Sequence, residues 1–241
     1  MALAETPETT LERVYIWEIP VRIAHWLIFF SILILSVTGL YIAHPIIEVE
    51  GPARDHFMMG LVREIHLYTA IVFTLAVLVR IYWFFVGNRY ARWGQYLPFS
   101  WERISNLFET VLYYSFIRRD PAEFEHGTPL SGGGAGHNAL AGATYAFIFL
   151  VYLVLIVTGF GLYTVYAPQS SPMQVFAVVA QVLGGLEITR LVHHICMWIV
   201  LIFAIAHIYF VFLSSTVEQV GIFDSIFSGY KFLSINRAKR S

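Results

Sequence analysis

Four long runs of apolar residues organise the chain, near 20–43, 64–87, 140–165 and 190–214, and polar or glycine-bearing connections such as Ser131–Gly134 separate them. A helix needs about 20 mainly apolar residues to cross the hydrocarbon layer of a bilayer, and each run has that length. Lipid does not tolerate irregular backbone, so the pattern predicts four transmembrane helices with the connections outside. Two shorter stretches, 101–118 and 172–183, carry apolar positions at helical spacing without the length to span. They are expected to lie along the two membrane faces. The economical architecture is an all-α membrane protein, a four-transmembrane-helix bundle made by one domain over residues 1–241.

Composition strengthens this reading. The chain is 58% hydrophobic and only 13% charged, with a mean hydropathy of +0.67, which sets it apart from ordinary soluble domains. A net charge of −1 gives no electrostatic reason to expect nucleic acid as a partner. Glu5, Glu8 and Glu12 precede the first basic residue, unlike the basic start of a secretory signal, so the first span is expected to be retained. The single cysteine, Cys196, falls in the fourth run and reads as a small packing residue.

Orientation follows from lysine and arginine. Twelve of the fifteen fall in the amino-terminal segment, the connection after the second run with Arg80 just inside it, or the carboxyl-terminal tail; only Arg54, Arg63 and Arg190 lie on the other side. Basic residues accumulate on the cytoplasmic side, so both termini are expected there. Trp17, Trp26, Trp83, Tyr163 and Trp198 stand near span ends, as interfacial anchors or as packing for a cofactor.

The candidate chemistry lies in the histidines. His193 and His207 are fourteen residues apart in the fourth run. Fourteen helical steps turn roughly 1400°, about 40° short of four full turns, and rise roughly 21 Å. Both imidazoles therefore share a face at different depths. With both termini inside, His66 near the start of the second run matches the depth of His193, and His25 near the start of the first matches His207. The result is an outer pair, His66 with His193, and an inner pair, His25 with His207. Two histidine pairs at two depths suit two stacked haems in a helical bundle. His194 is thirteen residues from His207, which puts the two roughly 140° apart around the helix, so His194 is assigned to structure or to a propionate contact.

Ionisable side chains inside a membrane are costly and usually mark a functional path. Zinc would require ligands converging on one centre, which pairs about 21 Å apart in helical rise do not do. The chain has no Cys-X-X-Cys-His, so a haem would be held without that covalent attachment. Two axial histidines leave iron no open site, which favours electron transfer over oxygen chemistry. A histidine-lined metal or proton transporter is the alternative of a different class, and a purely structural anchor leaves the depth-matched pairs unexplained.

Smaller features bear on the same sites. Gly39 lies fourteen residues after His25; it allows a flat macrocycle to approach the backbone, or it serves close helix packing. Val157-Thr158-Gly159 echoes Val37-Thr38-Gly39, and both would place glycines near the outer cofactor. Arg80 lies fourteen residues after His66 and is read either as a partner for a haem propionate or a quinone oxygen, or as a side chain snorkelling to the interface. Arg22 has the same two readings. His44, His56 and His137 sit in connections and have no assigned role.

Arg22-Ile-Ala-His25-Trp26-Leu27, continuing through Ser31, Leu35 and Val37-Thr38-Gly39, resembles the first motif of the b-type cytochrome subunit of membrane-bound nickel-iron hydrogenases. Arg190-Leu-Val-His193-His194-Ile195, continuing through Trp198, Phe203 and His207, resembles the second, with Leu191 where a smaller residue is expected. The likeness extends over essentially the whole chain. It implies an integral protein of the bacterial inner membrane with two b haems. Its partners would be the iron-sulfur small subunit of a periplasmic hydrogenase, through it the large subunit, and the membrane quinone that accepts the electrons. The chain lacks the cysteines for nickel or iron-sulfur clusters, so hydrogen chemistry would reside on the partners. A dihaem cytochrome of a formate dehydrogenase or a thiosulfate reductase would share this wiring.

Overall fold

A computed structural model describes residues 10–46, 57–93, 139–218 and 222–235. The stretch 101–118, Ser131–Gly134, His56 and His137 lie outside the described residues. Strand β1 (Thr10–Tyr15) leads into α1 (Ile19–Ala43), followed by α2 (Met58–Val86) and α3 (Ala139–Tyr163). A 3-10 turn (Pro172–Phe176) and α4 (Ala177–Leu183) precede α5 (Leu186–Glu218), α6 (Ile222–Ser228) and β2 (Tyr230–Ile235). Helices α1, α2, α3 and α5 are each long and apolar enough to cross a membrane. They coincide with the four apolar runs, although α2 begins earlier, at Met58, and α5 continues to Glu218. Pro20, in the first turn of α1, has the φ angle that a helix start needs and lacks only a donor that would be unpaired there. Along the spans Phe30, Val37, Leu75, Leu150 and Ile202 are exposed, as expected where lipid is the solvent.

The chain divides into two compact units, one formed by Met1–Arg22, Trp83–Ala146 and Ala206–Ser241, the other by Ile23–Tyr82 and Phe147–Ile205. In the second unit the four long helices close a ring of neighbours. Thr38 of α1 bonds His66 of α2, and Phe73 of α2 meets Tyr152 of α3 edge-on with ring centroids 5.2 Å apart. Thr158 of α3 then bonds His193 of α5, and Met197 of α5 lies over Gly39 of α1. Beyond α3, Gln174 in the 3-10 turn donates to the carbonyls of Thr164 and Ala167, both at 3.0 Å, holding the short turn and α4 to the end of that helix.

The first unit contains what hydropathy does not register. β1 and β2 form a two-stranded antiparallel sheet, with Thr10 opposite Ile235 and Tyr15 opposite Tyr230. The segments before the first span and after the last therefore meet on one side of the membrane. Ile16, Trp17, Val21, Tyr90 and Ala91 make a small core beside the sheet. Trp17 donates from Nε1 to Ser225 Oγ (3.1 Å), and Glu18 accepts from Trp83 Nε1 (3.1 Å) and from the Asn88 backbone (2.8 Å). Trp17 is buried and Trp83 is bonded through its indole, so both are structural pins of this unit, whereas Trp198 is exposed as an interfacial anchor would be. Gly229 turns α6 into β2 at φ 88°; a Cβ there would stand 2.6 Å from the Tyr15 ring and 2.8 Å from the Trp17 carbonyl, so no other residue fits.

Candidate functional site

His66 and His193 are held by the same device, repeated on two helix pairs. In α1 the Thr38 hydroxyl lies 2.7 Å from the Ile34 carbonyl, one turn back, and 2.8 Å from His66 Nδ1. In α3 the Thr158 hydroxyl lies 2.6 Å from the Val154 carbonyl and 2.9 Å from His193 Nδ1. A hydroxyl has one proton to give. A carbonyl offers only lone pairs, so at 2.6–2.7 Å the proton must point to it, and the hydroxyl oxygen is left to accept from the ring. Each imidazole therefore carries its hydrogen on Nδ1, and its lone pair is on Nε2.

The residue after each threonine makes room for the ring. A Cβ at Gly39 would sit 3.4 Å from His66 Cε1, and one at Gly159 would sit 3.1 Å from His193 Cε1. What approaches these two glycines is the imidazole of the neighbouring helix, so their small size makes room for the rings directly. Between the adjacent histidines, it is His193 that is bound to α3, while His194 is half-buried.

The remaining candidates are distributed as follows. His25 in α1 is half-buried and meets Trp26 edge-on at 5.3 Å; it belongs to the second unit. His207 stands on α5, the same unbroken helix as His193, and is exposed; it belongs to the first unit. Arg80 is only 3% exposed, so it is buried among its neighbours and does not snorkel outward. Arg22 donates from Nη1 to the Phe227 carbonyl and so ties the start of α1 to the last turn of α6. Cys196 is buried with a free thiol, in line with a packing role. Thr38 and Thr158 carry no chemistry that sequence alone marks as a site. The signal for them in the sequence is the repeated Val-Thr-Gly at 37–39 and 157–159.

A profile of the prokaryotic cytochrome b561 family matches residues 16–229. The chain belongs to the prokaryotic cytochrome b561 family. This cytochrome is similar to the probable Ni/Fe-hydrogenase B-type cytochrome subunit of Rhizobium leguminosarum bv. viciae, 34% identical over 92% of this chain and 91% of the relative. The like-named subunit of Rhodobacter capsulatus is 33% identical over 93% of this chain and 83% of the relative. In Escherichia coli K12 the probable Ni/Fe-hydrogenase 1 B-type cytochrome subunit is 32% identical over 94% and 95% respectively. A b-type cytochrome implies haem b, and the site fits it: an axial imidazole must present a lone pair to iron, and the threonine bonds leave one on Nε2 of both His66 and His193.

Proposed function

We propose that this chain is the membrane anchor and electron-transfer subunit of a nickel-iron hydrogenase, carrying electrons from a periplasmic enzyme to the quinone pool of the bacterial inner membrane. His66 and His193 hold an outer haem b, and His25 and His207 hold an inner one. The observation that carries this reading is the pair of threonine-bound imidazoles, each with Nε2 left as its lone-pair nitrogen, in a chain of the cytochrome b561 family. The inner pair is supported by the fourteen-residue spacing on one continuous helix. When bound, haem supplies a reversible one-electron iron couple, and the protein's part is placement and tuning.

Arg80 supports the same path. Arg80 is buried in a spanning helix, where an ionisable side chain usually marks a functional path, and we propose a haem propionate or a quinone oxygen as a ligand it contacts. The hydrogenase small subunit, with its iron-sulfur clusters, is the electron donor, and hydrogen chemistry stays on the partner subunits. With electrons moving inward and quinone protons taken from the cytoplasm, turnover separates charge across the membrane.

Haem quantification and reduced-minus-oxidised spectra of the wild type and four single histidine-to-alanine variants test the ligand pairs. His66→Ala and His193→Ala should remove the same haem, and His25→Ala and His207→Ala the other. Two haems retained in His193→Ala would overturn the assignment. In the assembled complex in vesicles, hydrogen oxidation coupled to quinone should raise a membrane potential; turnover without one removes the inward direction.

A further inference from the structure

Thr38 and Thr158 do more than fill space between helices. Each hydroxyl is committed as a donor to its own helix, to Ile34 O at 2.7 Å and to Val154 O at 2.6 Å. Each is therefore fixed as an acceptor for the Nδ1 hydrogen of the histidine opposite, at 2.8 and 2.9 Å. A threonine in a spanning helix can satisfy itself with the carbonyl one turn back and needs no second partner. Here both threonines are buried, and both spend the remaining lone pair on an imidazole from another helix. Carbonyl-polarised hydroxyls are better acceptors than free ones, because hydrogen bonds in a chain strengthen one another in a low-dielectric interior.

We propose that Thr38 and Thr158 are paired positioning residues for the outer haem: they lock His66 and His193 in the Nδ1–H tautomer, aim Nε2 of each ring, and lower the haem's midpoint potential by drawing on the Nδ1 hydrogens. The proposal rests on the reading of His66 and His193 as axial ligands. The physical cause is the one that makes outer-shell partners matter at metal sites generally. An acceptor on the distal nitrogen makes the imidazole a stronger electron donor, and a stronger donor favours ferric over ferrous iron. Two such bonds on opposite ligands act in the same direction. The acceptors are neutral hydroxyls, so the effect is smaller than a carboxylate would give, and no buried charge has to be compensated.

Thr38→Val and Thr158→Val, singly and together, keep shape and remove the acceptor; Thr→Ser at each position restores it. The measurements are redox titration of the outer haem and the low-spin ferric electron paramagnetic resonance signal, on the full chain with haem bound. The valine variants should raise the outer-haem potential and change its low-spin g values, the double variant should do so most, the serine variants should return both to wild-type values, and the inner haem should not move. Unchanged potential and g values in the valine variants overturn the proposal. So does an equal shift in serine and valine variants, which would assign the effect to the lost methyl group. If valine prevents haem uptake, serine variants with wild-type potential support the proposal, and loss of haem in both overturns it. His66→Ala and His193→Ala serve as the independent control. Should neither remove a haem, the ligand reading itself fails; should both remove it while the threonine variants stay silent, only the positioning role fails.

Discussion

At Thr38–Gly39, α1 receives His66 from α2, and at Thr158–Gly159, α3 receives His193 from α5. The polar half of the two crossings is nearly the same, with hydroxyl-to-ring distances of 2.8 and 2.9 Å. The steric half is not. The space over Gly39 leaves a Cβ at 3.4 Å from the ring, with the Met197 sulfur next to it at 4.0 Å, whereas Gly159 leaves 3.1 Å with no such flexible neighbour among the three nearest atoms. The bonding geometry is set within one helical turn, because the threonine is anchored to its own helix. Clearance is set by how two helices pack, and nothing local controls it. The same three-residue motif therefore produces one crossing with a margin and one without.

Alanine at the tighter crossing should break this comparison most severely. In Gly159→Ala the new methyl meets a ring already held by Thr158, and haem retention should fall by about tenfold or more if that ring is a ligand, as when the support of a metal ligand is disturbed; haem titration of the purified protein measures it. Trp17→Phe, in the other unit, removes the indole donor to Ser225. It should cost about 1 kcal/mol in stability and leave the haem spectrum unchanged, which separates stability from imidazole geometry. Gly39→Ala should go the opposite way to Gly159→Ala. At 3.4 Å the contact is ordinary, and the roughly 0.5–1 kcal/mol of helix propensity that alanine gains over glycine should win. A thermal melt of the haem-loaded protein checks that sign.

Met197→Leu by itself should have only a modest effect. An unbranched thioether adapts to its surroundings, and a volume-conserving swap should change stability by less than about 1.5 kcal/mol. Its value lies in combination. If Met197 provides the margin over Gly39, then Gly39→Ala should become destabilising in the Met197→Leu background, a coupling that a double-mutant cycle reads directly. Strict additivity would show that the margin comes from elsewhere in the crossing.

Much of the architecture was legible beforehand. The four spans appear where apolar runs of the right length stand, with α2 gaining about two turns at its start because Met58–Arg63 joins the helix ahead of the apolar run. Helical phase favours His193 over His194 as the candidate ligand, and the structure adds a bond from His193 to Thr158 of α3 that phase alone does not predict. Other residues were only half legible. Gly39 was open between macrocycle and helix packing, and it faces an imidazole. Arg80 reads either as a partner for a haem propionate or a quinone oxygen or as a snorkelling side chain, and its burial argues against snorkelling. Trp17 and Trp83 read by position as interfacial anchors or as packing for a cofactor, and their indole N–H groups donate to Ser225 and Glu18.

What the sequence determined by itself rests on periodicity and length. Twenty apolar residues dictate a span, and fourteen steps dictate a shared face, because both are properties of one continuous helix. What the tertiary structure decided depends on residues far apart in the chain. β1 finds β2 more than two hundred residues away, Thr38 reaches His66 across 28 residues and Thr158 reaches His193 across 35. Which nitrogen of each imidazole is left for a ligand bond depends on a hydroxyl from another helix, and no pattern within one helix encodes that.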